Sequence, residues 1–148
     1  MMMEKLSFQI SINATRNIIW DILWNDQTYR KWTAVFSPGS YAVTDWKEGS
    51  KTLFLSSDGS GMVSTIARNI PYEFLSIKHL GFVKNGIEDT ESEAVKQWAG
   101  ALENYTLKEE GESVLLEVSM DISDEYKDYF MKVFPQALQS VKELAENG

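Results

Sequence analysis

The stretch 123–147, SDEYKDYFMKVFPQALQSVKELAEN, decides the fold. Tyr126, Tyr129, Phe130, Val133, Phe134, Ala137, Leu138, Val141 and Leu144 recur at intervals of three and four, while Lys127, Lys132, Gln136, Lys142 and Glu146 fall at other angles. That spacing marks a helix with one apolar face and predicts a long C-terminal helix over 123–147. Asp124 and Glu125 suit the positive end of its dipole. Pro135 lies inside the stripe, has no N–H for the carbonyl of Met131, and crowds that turn with its ring. The helix is therefore expected to bend there or to start a new segment.

An amphipathic helix of this length needs an apolar surface to cover, and the preceding residues supply a sheet. Short alternating or β-branched runs separated by turn residues predict antiparallel strands near 40–45, 51–57, 61–69, 74–82, 98–109 and 113–122. Asp58-Gly59-Ser60-Gly61 reads as a hairpin turn, because glycine supplies the positive φ of tight turns. With neither a lysine nor a following helix it is not a phosphate loop. Over 84–97, Asn85-Gly86 precedes Glu88, Asp89, Glu91 and Glu93, which predicts a solvated, mobile loop. At the start of the chain, Leu6, Phe8, Ile10 and Ile12 alternate with Lys5, Ser7, Gln9 and Ser11, a further strand with one buried face. Asn13 or Thr15 can cap a helix carrying Ile18, Ile19, Trp20, Ile22, Leu23 and Trp24. A second short helix over 27–32 ends before Ser37-Pro38-Gly39. The order of elements is strand, two short helices, about six antiparallel strands and one long helix, an α+β layout. A curved sheet closing over a single helix can leave a pocket between the layers.

Composition narrows the function. A chain of 148 residues fits one domain, 1–148. Its 14 Lys and Arg against 22 Asp and Glu give a charge of -8, which repels a phosphate backbone and argues against nucleic acid as a partner. The absence of cysteine removes disulfides, thiol nucleophiles and thiolate metal sites. Met1-Met2-Met3-Glu4-Lys5 leads into alternating residues, without a signal-peptide core or a run of about 18 apolar residues. A soluble, cytoplasmic protein without a membrane span is expected.

Several segments resemble the START-like, or SRPBCC, superfamily with its Bet v 1-like helix-grip fold. Within it they are similar to the family related to the C-terminal domain of the Hsp90 ATPase activator Aha1. The segments are Ile12-Asn13-Ala14-Thr15 running into Ile19-Trp20-Asp21-Ile22-Leu23 and Lys31-Trp32, then Asp45-Trp46-Lys47-Glu48-Gly49-Ser50. Asp58-Gly59 with Gly61, Ile70-Pro71-Tyr72-Glu73-Phe74-Leu75, and the last helix with Leu138, Lys142 and Leu144 follow in order. The resemblance covers nearly the whole chain. It implies a curved antiparallel sheet of about six to seven strands wrapped around the C-terminal helix, with two short helices after the first strand. It also implies functions ranging from small-ligand binding through polyketide cyclisation or hydration to co-chaperone contact. The missing N-terminal domain of the eukaryotic activator weighs against the last.

His79, the only histidine, shares inward parity with Leu75 and Ile77, which suits one hydrogen bond to a ligand better than catalysis. One imidazole and no thiol make a metal site improbable, and no cofactor is expected. Of five tryptophans, Trp20 and Trp46 sit in the fold motifs, where core packing is favoured, and Trp98 suits a pocket rim. The pocket wall is assigned to Trp20, His79, Trp98, Tyr105, Phe130 and Phe134, with almost no other titratable group facing inward. The expected function is non-catalytic binding of a small apolar or aromatic molecule, and a homodimer is compatible with it. A cyclase or hydratase and a protein-interaction module are the alternatives.

Overall fold

The computed structural model describes residues 2–147. Its first strand, β1 (Met3–Ile12), leads into α1 (Arg16–Trp24) and α2 (Asp26–Trp32). Thr15 is the cap of α1, accepting from the Ile18 amide at 3.4 Å, and Asn25 caps α2 by accepting from Gln27 at 3.0 Å. The Trp32 indole, 2% exposed, donates to the Leu23 carbonyl at 3.1 Å and ties the two short helices together. The meander follows as β2 (Tyr41–Val43), β3 (Lys51–Leu55), β4 (Gly61–Ile70), β5 (Phe74–Lys84), β6 (Ile87–Asp89), a helical turn α3 (Glu93–Lys96), β7 (Leu102–Glu110) and β8 (Ser113–Ser123). After a turn of 3-10 helix at Asp124–Tyr126, α4 (Lys127–Asn147) ends the described chain.

The strands form one antiparallel sheet in the order β1-β8-β7-β5-β4-β3-β2, with β6 added on β5. The sheet curves around α4, the α+β helix-grip architecture. Its inner face and the helices share one core that includes Ile12, Ile19, Leu23, Leu75, Leu116, Leu138 and Val141, each at most 2% exposed.

Three expectations need correction. The stretch 84–97 is not simply a loop: Ile87–Asp89 pairs with Phe82, Val83 and Lys84, and α3 pins itself with the fully buried Val95. Gly81 lets β6 come so close, since a Cβ there would lie 2.0 Å from the Asp89 carbonyl oxygen. Strand β7 begins at Leu102, so Trp98 belongs to the turn after α3. Pro135 does not start a new segment, and one helix runs through it from Lys127 to Asn147. The hairpin turn at Asp58 forms as predicted, with positive φ at Gly59. Hydrogen bonds from Ser56, the Ser60 hydroxyl and the Ser60 amide lower the Asp58 carboxyl to about 2.

Among the described residues, no helix is long and apolar enough to cross a membrane.

Candidate functional site

Between the sheet and the first half of α4 lies a cavity of about 510 Å³. Strands β5 and β7 form part of its wall through side chains of one parity. Ile77 pairs with Glu103 and Leu75 with Tyr105, so alternation along both strands turns Ile77, His79, Glu103 and Tyr105 to the same side. Trp24, Tyr29 and Trp32 come from the short helices, Phe54 from β3, and Phe130 and Phe134 from α4. Phe82, Tyr126 and Tyr129, each more than 40% exposed, mark where this wall meets solvent.

One polar chain runs through these rings. The Ser64 hydroxyl, on a fully buried residue across from His79 in the β4–β5 ladder, lies 2.7 Å from His79 Nδ1. His79 Nε2 lies 2.9 Å from Glu103 Oε1. Glu103 Oε2 in turn accepts from the Tyr105 hydroxyl. A β-bulge at Leu80 shifts the β4–β5 register beside this contact: Ser64 faces His79 while Val63 faces Gly81.

The electrostatics follow from burial and these bonds. Burial alone would raise the Glu103 carboxyl, but the hydrogen bond and charge of His79 and the hydrogen bond from Tyr105 outweigh it and hold Glu103 below its ordinary value. Glu103 is therefore a carboxylate at neutral pH. Tyr105 is pushed well up by burial first and then by the charge and hydrogen bond of Glu103. Burial, followed by the Glu103 charge, also raises Tyr29. The two phenols stay protonated.

Of the residues assigned to the pocket wall, His79, Trp98, Tyr105, Phe130 and Phe134 line this cavity, and Trp20 does not. Trp20 packs instead against Trp24 and Tyr72, at ring separations of 6.1 and 6.3 Å. Tyr72 occupies the third position of the Ile70–Glu73 turn with φ 69°, and the Glu73 amide closes that turn on the Ile70 carbonyl at 3.0 Å. Trp20 thus supports a turn outside the cavity. The sequence reading missed Glu103 and Tyr29, and it expected almost no inward titratable group. The same alternation that places Tyr105 and Leu107 inward also points Glu103 inward. Among the described residues there is no cluster of three or more His, Asp or Glu side chains that could hold a metal ion.

No protein-family model matches the chain, and no curated protein matches it. Solved structures do. The solution structure of the Aha1 dimer from Colwellia psychrerythraea is 16% identical, with 97% of this chain and 96% of that one aligned at a TM-score of 0.69. CalU16 from Micromonospora echinospora is 17% identical over 95% of this chain and 75% of its own, with a TM-score of 0.66. DynU16, from the dynemicin biosynthetic locus, is 13% identical over 94% of this chain at a TM-score of 0.70. This chain spans only 46% of DynU16. At such identities the likeness is one of fold: the chain shares with these structures a curved antiparallel sheet gripping one long helix.

Proposed function

We propose that this chain is a single helix-grip domain that binds a small apolar or aromatic molecule in the cavity between its sheet and α4. The observation that carries this reading is the cavity itself. About 510 Å³ stays open beside the buried core, lined largely by aromatic rings together with the His79–Glu103–Tyr105 cluster. His79, Trp98, Tyr105, Phe130 and Phe134 are its contact residues, joined by Glu103 and Tyr29. A cytoplasmic protein fits the chain's lack of cysteine. A homodimer fits the fold's likeness to the Aha1 dimer.

The convergence of His79, Glu103 and Tyr105 favours a second reading, an enzyme of the cyclase or hydratase type. The arrangement suits fixed recognition better than proton transfer. Both ring nitrogens of His79 are engaged, Glu103 is held ionised by its donors, and Tyr105 is pushed away from the neutral range.

Trp24, Trp32 and Trp98 line the cavity, so a molecule entering it must perturb indole emission. Titration with flavonoids, fatty acids and polyketide-like aromatics, followed by tryptophan fluorescence and calorimetry, should give saturable one-to-one binding with an emission change. Native mass spectrometry of protein purified from its own host should show a retained molecule. Failure of every compound together with an empty native spectrum rejects the reading, and turnover of any compound promotes the enzyme.

A further inference from the structure

Resting on the cavity-binding reading, we infer that the cavity selects an apolar or aromatic molecule that carries a cationic nitrogen, seated against the Glu103 carboxylate. The charge balance of the wall leads there. Among the described residues that line the cavity are two carboxylates, Glu103 and Asp121, with His79, and no Lys or Arg. Asp121 is already served, since Lys5 Nζ lies 3.2 Å from Oδ1 and the Leu102 amide donates to Oδ2 at 3.0 Å. Glu103 has no lysine or arginine partner, and its bonds are to His79 and Tyr105.

A carboxylate only 18% exposed is costly to hold ionised, and His79 is its one bonded partner able to carry a positive charge, so a ligand cation would add attraction at the site. Each carboxylate oxygen has a second lone pair after its bond to His79 or Tyr105, so Glu103 can still accept from an ammonium. Tyr29 lines the same cavity, and its hydroxyl makes no hydrogen bond among the described residues. Trp24, Trp32 and Phe54 also line the cavity, and aromatic rings attract cations over their faces. A ligand carboxylate would meet Glu103 with no Lys or Arg in the wall to offset the repulsion. A neutral hydroxyl could bond to Glu103 but would gain no charge attraction.

The test uses one ring system with three head groups: naphthylethylamine, naphthylethanol and naphthylacetate, titrated by calorimetry at neutral pH with tryptophan emission recorded in parallel. The amine should bind at least about tenfold more tightly than the alcohol, and the acetate more weakly than both. Glu103→Gln keeps the side chain's shape and removes its charge. It should bring amine and alcohol within about threefold of each other, while Glu110→Gln, the same charge change at the surface, should leave the ranking intact. Thermal melting establishes that Glu103→Gln is folded; if it is not, the wild-type ranking decides alone. Alcohol or acetate binding as tightly as the amine overturns the charge inference and leaves the cavity reading standing. So does an amine preference that survives in folded Glu103→Gln. A series in which no head group binds or alters indole emission rejects the cavity reading and this inference with it.

Discussion

The two halves of α4 face different interiors. Beyond Pro135 the helix turns Ala137, Leu138, Val141 and Ala145 inward, between 0 and 6% exposed, into a filled core shared with Ile12, Ile19, Leu23 and Leu116. Before Pro135 it presents Tyr129, Phe130 and Phe134 to a cavity. The difference lies in side-chain size. Alanines let a helix settle closely onto its neighbours, whereas large rings hold it off and pack against one another. Phe134 stands at the boundary, stacked on Phe8 and set edge-on to Phe36, each at 5.0 Å. One helix can therefore anchor the fold with one half and roof a binding space with the other.

The sharpest way to break this comparison is at its boundary. Phe134→Ala removes a ring that is 1% exposed and should cost about 3 to 5 kcal/mol in urea unfolding. A loss under about 1 kcal/mol would mean that the ring is not part of the packed core. Next comes a matched pair across the proline. Leu138→Ala, at the filled end, should cost about 2 to 4 kcal/mol, while Phe130→Ala, beside space that already exists, should cost about 1 kcal/mol or less. Equal losses would dissolve the distinction between the halves.

Acid and alkali probe the cavity wall, with the Asp58 turn as a further acid-sensitive site. Because Glu103 is held below its ordinary value when folded, its contribution to stability is present above the ordinary carboxylate range and is lost as pH falls through the folded value. Tyr105 and Tyr29 are raised, so their contribution is present below the ordinary tyrosine value and is lost as pH climbs past it. Melting temperature against pH should fall on both sides, and Glu103→Gln should flatten the acid side. An unchanged acid side would place the titrating carboxylate elsewhere. The smallest effect belongs to the helix end. Glu146 accepts from the Asn13 amide at 2.8 Å and pairs with Lys142 at 2.6 Å, and Lys142 also donates to the Ser11 carbonyl at 2.9 Å. Glu146→Gln should speed amide exchange in the last turn of α4 and leave binding in the cavity unchanged.

Periodicity decides what can be read before folding. The alternation of β1 and β5 and the turn at Gly59 are local patterns that formed where the residues predicted them, and the stripe of α4 formed from Lys127 rather than Ser123, with Tyr126 left in a turn of 3-10 helix. Strand β6 and helix α3 were illegible for the opposite reason, since three- and four-residue elements carry too little pattern and depend on pairing with β5 and on Val95. Trp20 and Trp24 are four residues apart on one helix, yet only Trp24 reaches the cavity. That choice belongs to the neighbours, Tyr72 for one and Trp32, Trp46 and Tyr105 for the other.

The amino-acid order by itself determined the order of the longer elements, the inward parity of His79 and the apolar face of α4, because these rest on spacing along the backbone. Tertiary structure alone decided that Glu103 would meet His79, Tyr105 and an open space among aromatic rings. A charged residue within a strand has an inward parity that alternation can state. Whether it is tolerated there depends on donors, and the His79 imidazole reaches it from a neighbouring strand only once the sheet has formed, beside the Tyr105 hydroxyl from its own.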